Sequence, residues 1–434
     1  MPKMPKRFAK EPLIEFNPKL PKLSENESKV LKLLVEAAKL IVPIYKLQEN
    51  QKPLEGIKKA AKKNPAILSP YTVIEEQNGK LVAIPYHVKY ADLLKPIAEK
   101  LREAAKITEN KEFGKALKIQ AKVLLDGTYE QASAAWLKME PYILDISIGP
   151  LHHYDDRLFF SKASYHAWVG VIDREGTDRL LNYKAVTLSV RRKTLSPKER
   201  IEPKKMKVKV LDVVIFSGIM ARTKFVGLNL PIDTNFVEKY GADVTLFNQS
   251  NDLRFMEQVL PTFNQIFSKD FKQGFSEEDL RRGYLRYTAL HELAHSYLYY
   301  KNAAKNLEDL FLCIYELAAT ILGLRLAGSL LLKDRITDKQ LQSMIVAYTS
   351  RCIYLMKKGG NGRFMMKYVL GSTIFINFML ESGALRWIDN QIISNFTKIF
   401  VSLHDLSNIL ESLLIQGTRK DAESFINKYA SDLS

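Results

Sequence analysis

The chain has 434 residues, 46% of them hydrophobic and 26% charged, with a formal net charge of +17. That length is enough to bury a large core in two lobes, and the apolar fraction is ordinary for a folded soluble protein. Two cysteines, Cys313 and Cys352, lie in apolar stretches and read as buried thiols, which excludes a disulfide framework.

Residues 1–25 are rich in proline and lysine and read as a basic, disordered tail with no apolar core of a secretory signal. Helical periodicity begins at residue 26 with Val30, Leu31, Leu33, Leu34, Ala37 and Ala38, and Ser24 and Asn26 are candidate caps. Two more helical stretches are predicted over 89–125, broken near Thr108-Glu109-Asn110. Residues 140–172 and 206–231 are strand-like, with Val208, Val210, Val213 and Val214 typical of the second run. Between them, 174–205 is charged and carries a helical insertion. From about 250 to 415 the pattern is helical, interrupted by a loop at Gly359-Gly360-Asn361-Gly362, and Gly417 sets off a last helix. The apolar run 311–332 is interrupted by Glu316 and Arg325, so it reads as a buried core helix and not a membrane span.

The chemistry concentrates in the helical part. Only seven histidines are present, and two of them fall in His291-Glu292-Leu293-Ala294-His295. Positions four apart share a helix face, so both imidazoles reach one metal ion, with Glu292 beside it as general base. A third ligand is required, and Glu316 is a lone acid in a strongly apolar stretch. A buried charge needs a partner, and a metal ion is one; the alternatives are that Glu316 pairs with Arg325 or faces solvent.

The chain resembles the dipeptidyl-peptidase III family of zinc metallopeptidases, its short microbial branch in particular. The likeness runs over about 65–430 in ordered segments: Pro70-Tyr71-Thr72-Val73 with Leu81 to Tyr86, Tyr129-Glu130 with Ser133 and Trp136, Asp145 to Pro150 with Tyr154 to Phe159, Asn229-Leu230-Pro231 with Glu238 to Gly241, and Leu380 to Ala384. The resemblance implies an α+β, two-lobe metallopeptidase: a strand-rich lobe forming a small barrel, a mostly helical zinc-binding lobe, and a cleft between. On that basis 1–25 is the tail, 26–240 the first lobe, 241–400 the catalytic lobe and 401–434 the closing helices. It also implies Zn²⁺ held by His291, His295 and Glu316, with Glu292 as the catalytic glutamate.

Several positions depart from the family pattern. Acids expected beside and four residues after the third ligand are Tyr315 and Thr320. The histidine that stabilises the oxyanion corresponds to Tyr368, whose hydroxyl can donate the same bond or whose ring can simply pack. The group that grips a peptide's amino terminus is a glutamate and two asparagines; here those positions are His152, Asn229 and Ile232, with Tyr154 beside them and Asp233 or Asp155 available to supply charge. A second family glutamate matches His166. Substitution of acids by histidine makes the cleft less negative and disfavours cationic peptide ends.

Three functions follow. The first is a cytoplasmic zinc peptidase for short peptides. The second is a zinc-binding, catalytically impaired peptide-binding homologue. The third, a basic nucleic-acid-associated protein, draws on the net charge alone; basic residues are spread along the chain in short clusters such as Arg191-Arg192-Lys193, which read as solvated surface.

Overall fold

The computed structural model describes residues 12–49, 56–151, 162–194, 200–231, 234–359 and 363–430. The architecture is α+β. Ten strands alternate with long helices: β1 Leu13–Glu15, β2 Thr72–Gln77, β3 Lys80–Pro85, β4 Leu144–Leu151, β5 Ser164–Ile172, β6 Met206–Gly218, β7 Gly227–Leu230, β8 Ala242–Phe247, β9 Leu385–Ile388 and β10 Gln391–Ser394. The chain divides into two compact units, one of 1–173 with 210–225 and one of 174–209 with 226–434.

In the first unit, Ser24 caps the helix Glu25–Lys39 by accepting from the Glu27 amide at 3.2 Å, while Asn26 lies inside that helix. Asn110 caps Lys111–Asp126, and Gly127 ends it at φ +78°, a left-handed position that suits a residue without a Cβ. Leu34, Ala38, Leu94, Leu101 and Leu117 from these helices and from Ala91–Ile107 pack with Tyr165, Val169 and Val171 of β5 in one core. Strand β5 is buried along nearly its whole length, as a central strand must be, and pairs antiparallel with β4 and β6. His166 sits opposite Gly149 in that register.

The sequence reading expected a small barrel. The described strands instead form an open path, β4-β5-β6-β8-β7, with β1 pairing on β6. Among the described residues its end strands β4 and β7 are not hydrogen-bonded to each other, and the three-residue β1 and four-residue β7 offer few pairs with which to close a cylinder.

In the second unit, the helix Glu277–His295 packs against Phe311–Leu331 and Asp338–Lys358. The segment 174–209 is grouped with this unit. Its helix Arg174–Thr194 is tied there by Arg191, whose Nη2 donates to Glu411 Oε1 at 2.5 Å, and by Thr187, whose hydroxyl meets that of Tyr297 at 2.8 Å. The helical pattern predicted to 415, with its loop at 359–362, does not include the β9–β10 hairpin, turned by Asp389 and Asn390 at φ +49° and +61°. The stretch Ala303–Leu331 is long and apolar enough to cross a membrane by length and composition, but 72% of its apolar window is buried in the protein, as in a core helix.

Candidate metal centre

The helix Glu277–His295 starts at a capping box, in which Ser276 accepts from the Asp279 amide and Asp279 accepts from the Ser276 amide. Two glycines set how closely its neighbours approach. A Cβ on Gly283 would lie 2.7 Å from the backbone of Ser343, and one on Gly323 would lie 2.8 Å from the carbonyl carbon of Leu290. The helix Phe311–Leu331 therefore crosses beside His291 at near-contact distance. Glu316 and Thr320, less than two turns before that crossing, face the histidines as a result.

The three expected ligand atoms converge. His291 Nε2 and His295 Nε2 are 3.2 Å apart, and Glu316 Oε2 lies 3.5 and 3.6 Å from them. A tetrahedral zinc with ligands at about 2.0–2.1 Å holds neighbouring donor atoms about 3.3–3.4 Å apart. Two imidazole nitrogens and one carboxylate oxygen at this spacing fit the ion. His291, Glu292 and His295 also form a group whose ligand atoms lie within 4.8 Å of one another.

The supporting contacts are uneven. His291 Nδ1 meets Thr320 Oγ1 at 2.9 Å; donation from that nitrogen leaves the Nε2 lone pair facing Glu316. The His295 ring lies against Tyr315, centroids 4.7 Å apart, while its Nδ1 is buried with no hydrogen-bond partner among the described residues. The Tyr315 hydroxyl donates to the His295 carbonyl at 3.2 Å. The two positions where the resemblance implied acids thus carry a hydroxyl that accepts from His291, at Thr320, and an aromatic wall, at Tyr315.

Glu316 does not pair with Arg325, which donates instead to Ser407 and Asn408. Its second oxygen, Oε1, accepts from Lys367 Nζ at 2.7 Å, and Tyr368 directs its hydroxyl to the same oxygen at 3.4 Å. Burial raises the Glu316 carboxyl, but the Lys367 charge and the two imidazoles outweigh it and hold the group well below the usual range. Burial and the Glu316 charge push the Tyr368 hydroxyl up to about 12, so it stays a proton donor at neutral pH. Sequence reading missed Lys367; the available signal was a lysine beside Tyr368 in an otherwise apolar helix, Arg363–Glu381.

Glu292 is 6% exposed, and burial pushes its carboxyl up to about 7, opposed by the His291 charge. Strand β7 covers it closely: a Cβ on Gly227 would lie 2.7 Å from Glu292 Cγ. The Asn229 amide, on the same strand, is engaged with the protein. Its Nδ2 donates to the Glu292 carbonyl at 2.8 Å and to Ser296 Oγ at 2.7 Å, and its Oδ1 accepts from Tyr299 at 3.0 Å. Of the other expected substrate-binding residues, His152, Tyr154, Asp155, Ile232 and Asp233 lie outside the described residues. His166, in the first unit, is held between Gly149 O, which accepts from Nδ1 at 2.7 Å, and the Ser147 hydroxyl, 2.9 Å from Nε2. Burial lowers its pKa to about 4 and keeps the ring neutral.

Fold and side chains together define an α+β chain with a histidine–glutamate centre of HExxH type. No protein-family model matches the chain. Two solved structures share its fold: dipeptidyl-peptidase III from Caldithrix abyssi, at TM-score 0.80 and 20% identity over 96% of this chain and 93% of that one, and dipeptidyl-peptidase III from Corallococcus sp. strain EGB, at TM-score 0.81 and 20% identity over 98% and 92%. The fold is therefore that of dipeptidyl-peptidase III. A curated relative, Nudix hydrolase 3 of Arabidopsis thaliana, is 23% identical over 370 residues. That match takes in 82% of this chain and 47% of the plant protein, so the chain spans about half the length of the curated relative it matches.

Proposed function

We propose that the chain is a zinc-dependent peptidase of the dipeptidyl-peptidase III kind, acting on short peptides. The observation that carries this is the three-donor set of His291, His295 and Glu316 at 3.2, 3.5 and 3.6 Å beside Glu292. The fold shared with two dipeptidyl-peptidase III structures supports the same chemistry class.

Zinc, when bound, supplies Lewis acidity and makes water nucleophilic near neutral pH. The remaining work falls to the side chains. Glu292 takes the proton of the attacking water as general base and delivers it to the leaving amine. Its burial suits this role, because burial raises the basicity of the carboxylate. Tyr368 turns its one hydroxyl hydrogen bond from Glu316 Oε1, 3.4 Å away, to the developing oxyanion and keeps its proton. Asn229 acts on the helix, not on the peptide, by fixing the Glu292 carbonyl and Ser296. Release of dipeptides from a free amino terminus is not part of the proposal, since the glutamate and second asparagine of that grip are His152 and Ile232.

One observation favours a second reading, a zinc-binding homologue with impaired turnover. His295 Nδ1 has no partner among the described residues, whereas a ligating histidine ordinarily donates its other nitrogen and loses 10- to 100-fold in affinity or activity without that bond. Zinc content and hydrolysis of a peptide panel, for the wild type and Glu292→Gln, separate the two. Cleavage that depends on Glu292 supports the peptidase; bound zinc without it supports the alternative.

A further inference from the structure

Glu316 presents its two oxygens to different partners. Oε2 faces His291 Nε2 at 3.5 Å and His295 Nε2 at 3.6 Å. Oε1 accepts from Lys367 Nζ at 2.7 Å. The Lys367 and Glu316 side chains are 13% and 15% exposed, so water screens their attraction far less than that of a surface pair.

Two packed helices build this pairing. Lys367 lies on Arg363–Glu381 and Glu316 on Phe311–Leu331. Gly371, four residues after Lys367 and on the same helix face, comes against Leu317: a Cβ there would lie 3.7 Å from the Leu317 Cβ. On the other side of Glu316, the Cys313 thiol reaches the Lys367 carbonyl at 3.9 Å. Contacts at 313 and 317 thus flank Glu316 and seat the lysine's helix beside it.

A carboxylate can hold a metal through one oxygen or through two. Zinc in a catalytic site takes three protein ligands and leaves one position for water. A second Glu316 oxygen on the ion would crowd that position. Lys367 opposes this by keeping Oε1 occupied. Tyr368 directs its hydroxyl to the same oxygen, but at 3.4 Å that bond is too long to hold it alone.

We propose that Lys367 is a positioning residue that restricts Glu316 to a single ligating oxygen, Oε2, and so keeps a coordination position open for water. This rests on the zinc reading above and adds the residue that sets the coordination mode. A lysine that only neutralised a buried carboxylate would leave the metal shell unchanged when replaced.

The metal shell itself is the readout, separate from turnover. A crystal structure of the zinc-loaded wild type gives the Glu316 contacts. Zinc X-ray absorption and the optical spectrum of the cobalt-substituted protein give the coordination number of the wild type and of Lys367→Met. The expected wild-type shell has Oε2 within about 2.2 Å of the ion, Oε1 still on Lys367, and about four ligands including water. In Lys367→Met the released Oε1 turns to the ion, the shell rises to about five ligands and the cobalt bands weaken. A wild type with both Glu316 oxygens on the ion overturns the proposal, and that result needs no variant to fold. A shell unchanged in Lys367→Met overturns it equally. Both of these outcomes leave zinc binding and the peptidase reading standing; a wild type that takes up no zinc removes the zinc reading and this proposal together.

Discussion

Thr320 carries a role that acids were expected to fill. Its hydroxyl meets His291 Nδ1 at 2.9 Å and orients the ring whose other nitrogen faces Glu316. Thr320→Val keeps the shape and removes the acceptor; zinc affinity should fall by about 10- to 100-fold, read by competition with a chelator, with little change in thermal midpoint. His166 allows a second residue-level prediction. Its pKa is about 4 in the folded chain against 6.5 for the free side chain. Between those values the unfolded state binds the proton and the folded state does not, so stability is lost as pH falls from about 6.5 to about 4 and the loss stops below that. The difference corresponds to about 3 kcal/mol. His166→Gln should flatten that part of a denaturant-midpoint-versus-pH curve. The HExxH pair was legible because two histidines four apart are rare here, and Glu316 because a lone acid in an apolar run needs a partner. Lys367 was not legible, because a lysine on a helix ordinarily faces water. The engagement of Asn229 was hidden too, since its three partners, Glu292, Ser296 and Tyr299, come from 63 to 70 residues away.

Helix crossings decide whether the ligands meet. Gly323 lets Phe311–Leu331 approach Leu290 so closely that an added Cβ would sit 2.8 Å from backbone. Gly323→Ala should cost about 1–3 kcal/mol by overpacking, measured by denaturant unfolding, and should lower zinc stoichiometry as Glu316 moves away. The helices themselves were readable from periodicity and from caps such as Ser24. The hairpins were not read, although both turns carried a signal: Asn78-Gly79 joins β2 to β3 and Asp389-Asn390 joins β9 to β10, all four residues at positive φ. Their strands are only four to six residues long, and surrounding helical pattern masked them. Strand β8 was missed for the same reason.

At the scale of the molecule, the second unit is tied by a buried network. Arg191, 5% exposed, donates to Glu411, and Tyr300 donates to the same carboxylate at 2.7 Å. Burial raises the Glu411 carboxyl, but the Arg191 bonds and charge outweigh it and keep the group ionised. Glu411→Leu leaves Arg191 buried without its partner and should cost about 3–5 kcal/mol. Calorimetric unfolding checks this. The mix of strands and helices was readable from the alternation of patterns, while the open sheet in place of the barrel that the resemblance implied was not, because closure depends on strand lengths and edges that periodicity does not report. The charge of +17 marks a basic chain. A solvated surface predicts weak nucleic-acid binding at low salt and none at 0.2 M; tight binding at 0.2 M salt would favour the nucleic-acid reading. The central claim concerns the centre at His291, His295 and Glu316, and zinc stoichiometry measured with peptide hydrolysis on the wild type and Glu292→Gln tests it most directly. The account predicts one zinc per chain in both, with hydrolysis in the variant lower by about 100-fold or more. A wild-type chain without zinc, or hydrolysis equal in the two, would contradict it.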